Sequence, residues 1–361
     1  MASAAEIMKK IVKDNGKFIV KMGGDDYADT PRIPTGIFTF DLASGGGFPM
    51  GRVSIVWGSE SSNKTNMILC AIAQGQQIYP EKKAVFVDAE HAFDPVWARK
   101  LGVNTDLLIL VHPEYAEQAV DFIESFLYAD DVFLVALDSI AALSTQNEIE
   151  SSAEKAAVGG ASHPVGKLFK KATVSFNRMR NQGLMPPAFV AINQVRNKIG
   201  VMYGSPDIMP GGFAPRFASS FTVRVHGKNI VDKKINAVMP SQKEVTCTIQ
   251  KWKMPILASS AVYTMNMLAS ESSVIGECND WNSVSAYLKQ LGYLDKGEKK
   301  GWVMFGTTFN TLDECRTALY DDPALLREAK TTIIKEMLAL GNVGEASGEQ
   351  VDMETGEVTN G

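Results

Sequence analysis

Near its start the chain carries an apolar stripe at Ile7, Met8, Ile11 and Val12, the spacing of a short amphipathic helix over residues 4–14 that Asn15-Gly16 would stop. KFIVKM (17–22) then alternates, with Phe18, Val20 and Met22 on one side, as a strand does. One helix and one strand cannot bury a core of their own, so this segment is expected to dock elsewhere, with another copy of the chain as one candidate. From Arg52 to Gln250 the texture changes to short, continuous apolar runs: RVSIVW, KAVFVDAE, LLILV, VFLVALD and AFVAINQ. Helical patterns lie between them, after Lys64, from Tyr115 to Leu127 and before Gly183. Strands apolar on both faces and separated by helices predict an α/β fold, a mostly parallel β-sheet flanked by helices, with ligands at the carboxyl ends of the strands.

After about residue 268 the pattern becomes a small mixed α/β unit with WNSVSAYLKQLGYL and a closing helix that puts Leu326, Ala329, Ile333, Met337 and Leu340 on one face. The expected parts are therefore an N-terminal packing segment (1–34), a core (35–267), a small C-terminal domain (268–342) and a tail (343–361). The chain shows no internal repeat.

Charge refines this division. The net charge of −5 sits in the tail, where five acids occur without a base; removing them from the chain's 41 acids leaves 36, equal to the 36 basic residues. The body is neutral and the tail reads as a solvated, disordered end. A sharper reading makes that tail a competitor with DNA phosphates. The most apolar short run, VFLVAL (132–137), is far below the ~20 residues that cross a bilayer, and the start lacks an apolar signal segment, so a cytoplasmic protein without a membrane partner is expected. Cys70, Cys247, Cys278 and Cys315 are scattered, which favours reduced thiols over disulfides or zinc.

The clearest chemistry lies in GSESSNKT, Gly58, Ser59, Glu60, Ser61, Ser62, Asn63, Lys64 and Thr65. It departs by one residue from the phosphate-binding pattern G-x-x-x-x-G-K-[ST], and it sits between a strand and a helix, as that pattern requires. Backbone N–H groups and the helix start would attract phosphates, Lys64 would reach the β/γ oxygens and Thr65 a magnesium ion. Asn63 stands where glycine is usual. If that position needs a positive φ, asparagine is the least costly substitute. Asp138, ending a buried strand, is the expected second partner of the magnesium shell. Asp88 and Glu90 end another strand near the same crevice; either is a base for water attacking a γ-phosphate, or a cap or solvated loop acid.

Together VDAEHAFDPVWARKLGV (87–103), LDSIAAL (137–143), INQVRNKIGVMYG (192–204) and the opening PTG…LASGGGFPMGRV resemble the RecA family of ATP-dependent DNA strand-exchange recombinases, over roughly residues 16–340. The resemblance is to bacterial or phage-borne members. It implies a RecA-like P-loop ATPase core that uses ATP and Mg2+, with Glu90 as the base. Asp94 and Trp97 would hold and stack the adenine, the alternative for Trp97 being a packing role. Gln194 would sense the γ-phosphate.

In the loop that follows, the resemblance implies DNA contacts by Arg196, Asn197, Lys198, Ile199, Gly211, Gly212 and Arg216, with Phe217 coupling subunits. Residues 148–167 would be a diverged first DNA loop, and Lys170 and Lys171 after it are either phosphate contacts or a solvated face. Lys251 and Lys253 fall where the family reaches across to the neighbour's γ-phosphate. The N-terminal helix and strand would then pack on the adjacent protomer of a helical homopolymer. The implied function is DNA-dependent ATP hydrolysis coupled to pairing single-stranded DNA with homologous double-stranded DNA. The alternatives are an ATP-gated DNA coat with negligible hydrolysis and a ring-forming motor of the same fold.

Overall fold

A computed structural model of the chain describes residues 2–15, 30–151, 162–197, 207–211, 214–231, 239–269, 274–278, 280–297 and 301–343, with two short strand pieces at 350–351 and 358–359. The expected strand KFIVKM, residues 152–161 of the first loop, Lys198, Ile199, Gly212 and most of the tail lie outside this set.

The apolar runs form one eight-stranded sheet. Its strands are β1 (Val53–Gly58), β2 (Lys83–Asp88), β3 (Leu108–Val111), β4 (Val132–Asp138), β5 (Ala188–Gln194), β6 (Phe221–Ile230), β7 (Gln242–Trp252) and β8 (Ser260–Asn266). Their spatial order is β8-β7-β6-β1-β5-β4-β2-β3. From β6 to β3 every pairing is parallel, and β7 and β8 extend the sheet antiparallel. Strand β1 lies between β5 and β6, so its carboxyl end opens at the middle of the sheet.

Every residue of β1 and β4 is buried, the signature of strands covered on both faces. Apart from α1 (Ala4–Asn15), which lies outside the sheet's apolar clusters, the helices of this part are α2 (Phe38–Ser44), α3 (Lys64–Ile78), α4 (Pro95–Lys100), α5 (Ala116–Leu127), α6 (Ser162–Asn181) and α7 (Ala214–Ala218), and each of these contributes to the packing against the sheet. One apolar cluster joins α3 to Phe40, Phe48 and Phe221, and another joins α5 and α6 to the opposite face of the sheet. Among the described residues, α1 contributes none to these clusters, and Ile7 on its stripe is 50% exposed.

The C-terminal part contains α8 (Trp281–Gln290), a three-stranded antiparallel sheet of β9 (Leu294–Lys296), β10 (Trp302–Met304) and β11 (Thr307–Phe309), then α9 (Leu312–Tyr320) and α10 (Pro323–Val343). Its own cluster takes in Phe38 and Leu42 of α2, and Lys330 on α10 pairs with Asp280 at 2.6 Å. Ala329 and Ile333 are fully buried there, and Leu326 and Met337 pack against the cluster. Leu340 departs from the expected face: it is exposed, because the last turns of α10 run past the cluster beneath them.

Asp41 on α2 fixes the entry to the core. Its buried carboxylate accepts hydrogen bonds from the Thr35 N–H, the Thr35 hydroxyl and the Gly36 N–H, each at 2.8 Å. Asp41→Ala would strand these donors and is expected to cost about 2–4 kcal/mol, read as a lower urea midpoint; an unchanged midpoint would remove this anchoring role.

Candidate nucleotide-binding site

The loop between β1 and α3 is held close to the sheet. A Cβ on Gly58 would lie 2.1 Å from the Val225 carbonyl oxygen of β6, so the first position of the loop admits no side chain. Ser61 and Asn63 both have left-handed backbones, with φ of 54° and 84°. Asparagine tolerates that region better than other residues with a side chain, which answers the local question that the missing glycine raises.

Asn63 also has partners of its own. Its side-chain N–H donates to the Tyr263 hydroxyl at 3.1 Å, with Met265 Sδ at 3.5 Å, both on β8. Its Oδ1 accepts from Asn66 at 2.7 Å, and Asn66 Oδ1 accepts from the Trp97 indole at 2.8 Å. A run of side-chain hydrogen bonds thus ties β8, the loop and α4 together. The buried Asn63 amide is satisfied at both ends, so the departure from glycine leaves no buried polar cost.

Lys64 is 7% exposed and donates to the carbonyls of Ser59 at 2.6 Å and Gly58 at 3.2 Å. Burial lowers its pKa, while Asp138, Glu90 and Glu60 pull the other way. Thr65 Oγ1 donates to Asp138 Oδ2 at 2.7 Å. The Asp138 pKa is pushed up to about 6, first by burial and then by the nearby charges of Glu90 and Asp88, against the Thr65 hydrogen bond and Lys64. Two hard oxygen donors thus meet beside a buried ammonium, a donor set suited to Mg2+ and phosphate.

The geometry separates the two acids at the end of β2. Asp88 is 2% exposed, and its carboxylate accepts the backbone N–H groups of Ala92 and Phe93 at 3.2 and 2.9 Å, folding the turn that follows. Glu90 is exposed and its Oε1 accepts from the Ser139 hydroxyl at 2.5 Å and the Gln194 amide at 2.8 Å. Asp94 caps α4, its Oδ1 accepting from the Val96 and Trp97 N–H groups at 2.8 and 3.1 Å. Trp97 is half-buried against the core, so it combines packing with one accessible side.

Gln194 ends β5, and the next residues, Arg196–Asn197, pair antiparallel with Asp207–Ile208. The root of the expected DNA loop is therefore a short hairpin stem directly attached to the glutamine that touches Glu90. Asn193 braces it by donating to the Pro210 carbonyl at 2.9 Å. Arg196 and Arg216 are exposed, and Gly211 has a φ of 91°. Lys170 is exposed on α6, whereas Lys171 is engaged with Asp121 at 2.8 Å and Glu124 at 2.5 Å on α5. A phosphate contact at Lys171 would have to compete with these two carboxylates.

Lys251 and Lys253 stand apart from this group. In the sheet register Lys251 pairs with Thr222, whose neighbour on β1 is Ile55, so Lys251, with Lys253 just past the end of β7, lies toward the amino end of β1 and away from the loop at its carboxyl end. Lys251 donates to the carbonyls of Arg216 and Phe217, next to a Phe217 side chain that is 75% exposed. Sequence reasoning missed Ser139, Asn66, Tyr263 and Lys243. Ser139 directly follows Asp138 and Asn66 directly follows Thr65, so both were within reach of the motifs; Tyr263 and Lys243 meet the loop through folding alone.

A mostly parallel sheet whose central strand runs through a lysine-bearing loop into a helix defines the class of P-loop nucleotide-binding folds. Comparison with known proteins narrows the class. The chain belongs to the RecA family: the sequence pattern of the RecA N-terminal domain matches residues 2–266. It is 35% identical over 326 residues to the RecA protein of Nitratidesulfovibrio vulgaris, covering 89% of this chain and 85% of that protein. It is 39% identical over 220 residues to the RecA protein of Oceanobacillus iheyensis, covering 60% of this chain and 61% of that protein. The RecA protein of Bacillus subtilis is 37% identical over 250 residues, 69% of each chain. The matched stretch thus spans about three fifths of the Oceanobacillus protein. Among the described residues, no helix is long and apolar enough to cross a membrane.

Proposed function

We propose that this chain is an ATP-dependent DNA recombinase that polymerises on single-stranded DNA and exchanges it with a homologous duplex. Lys64 and the loop N–H groups would hold the phosphates, and Thr65 and Asp138 would hold Mg2+, which supplies charge neutralisation at the transferring phosphoryl group. Glu90 orients and deprotonates the attacking water. Asp94 and Trp97 border the base, and Arg196, Lys198, Arg216, Lys170 and the glycines of the second loop grip the DNA backbone.

The observation that carries this reading is the 2.8 Å contact between Gln194 and Glu90 at the root of the Arg196–Asp207 hairpin. It joins the hydrolytic acid to the expected DNA loop through one side chain, a continuous link by which nucleotide state can bias DNA grip. The satisfied Asn63 weighs against the coat-only alternative, since the substitution leaves no side-chain polar group unpaired and puts at the left-handed position the residue that tolerates it best after glycine. A strand-exchange assay with homologous and heterologous duplexes, in ATP, a non-hydrolysable analogue and no nucleotide, tests the proposal. Joint molecules are expected with the homologous duplex when nucleotide is present; their absence under every condition would overturn it.

Lys251 and Lys253 complete the site from the neighbouring copy. Within one chain they lie away from the loop, so any role at the phosphates requires a second protomer. Lys251→Ala is expected to leave the melting temperature and single-protomer ATP affinity unchanged while lowering DNA-stimulated turnover by about 10-fold or more. Undiminished turnover would remove the cross-subunit role.

A further inference from the structure

Lys243 begins a face that the sequence hides. Along β7 the side chains alternate, and Val245, Cys247 and Ile249 are buried in the same apolar cluster as α3. Lys243 continues their row toward the carboxyl end of β1, its register partners being Asn229 on β6 and Met265 on β8. A lysine at the head of a buried row has to turn its ammonium out of the core. It does so over the phosphate loop: Nζ donates to the Ser61 carbonyl at 2.5 Å.

Lys243 and residues 61–66 line one open cleft of about 230 Å3. Among the described residues, no carboxylate lies within ion-pair distance of Lys243. Burial lowers its pKa, so the ammonium is partly stripped of water without an anion to compensate. Lys64, across the same cleft, is likewise bound to loop carbonyls. Lys64 has the charges of Asp138, Glu90 and Glu60 near it, whereas Lys243 rests on a neutral oxygen alone, so the cleft holds one cation beyond those that the nearby acids engage, a place for further negative charge.

We propose that Lys243 is a second phosphate-binding cation of this site, exchanging the Ser61 carbonyl for a phosphate oxygen when a nucleotide binds. This rests on the nucleotide reading above and adds to it an in-chain residue from outside the loop motif. The exchange requires no bond to break except the hydrogen bond to Ser61. It releases the left-handed residue at the tip of the loop as the ligand enters.

The test uses the full-length chain and titration calorimetry with Mg-ATP and with magnesium tripolyphosphate, which lacks base and sugar. Lys243→Gln is expected to weaken both by about tenfold, the scale of one charge-assisted hydrogen bond, and Lys243→Arg to restore most of the loss. Wild-type affinity for both probes in the Gln variant would overturn the proposal, as would a loss confined to Mg-ATP, since a lysine that merely shaped the base pocket would leave tripolyphosphate unaffected. A melting temperature that falls in both variants together with affinity would also overturn it by assigning Lys243 a strut's role. Should wild type fail to bind Mg-ATP, or Lys64→Ala bind it normally, the nucleotide reading itself would fall. An unaffected Gln variant beside a crippled Lys64→Ala sinks only this inference.

Discussion

Lys64→Ala is expected to abolish ATP-dependent DNA binding, with nucleotide affinity falling by about two orders of magnitude. The lysine is buried, its ammonium lies among the carbonyls of the loop, and Asp138, Glu90 and Glu60 are close enough to influence its charge. Removing it leaves this acidic group facing phosphates without the central cation. Filter binding of labelled single-stranded DNA, with and without ATP, reads the result. Undiminished stimulation by ATP would mean that the loop is not the nucleotide site.

Glu90→Gln should separate holding from turnover. The amide oxygen can still accept from Ser139 and Gln194, so the crevice keeps its shape, but it cannot take a proton from water. Phosphate release is expected to fall by about 10²–10⁴-fold, while ATP-dependent DNA binding persists and dissociation slows. Turnover at the wild-type rate would move the base elsewhere. Loss of binding and turnover together would make Glu90 a structural residue.

The sheet was legible in the sequence because its strands are short, continuously apolar and separated by helical patterns. The loop was legible because its residues are contiguous. What escaped depends on residues far apart in the chain. Asn63 reads locally as a tolerated left-handed residue, but its partner Tyr263 lies 200 positions away, and the tie through Asn66 to Trp97 crosses three elements. Lys171 looks like any basic residue on a helix until α5 supplies Asp121 and Glu124. Leu340 keeps the helical period yet stays in water, because periodicity assigns a face and says nothing about where the neighbouring surface ends. Asp88 and Glu90 were indistinguishable by spacing. The backbone N–H groups that engage Asp88 tell them apart.

The two ends of β7 carry different halves of the proposed chemistry, Lys243 by the loop and Lys251 toward the amino end of β1. If each catalytic centre takes its loop from one copy and its Lys251 from the next, a run of n copies contains n − 1 finished centres. One terminal subunit then offers a bare loop and the other a bare lysine pair. Growth and loss at the two tips would obey different rate laws, giving the assembly a direction along DNA before any accessory factor acts.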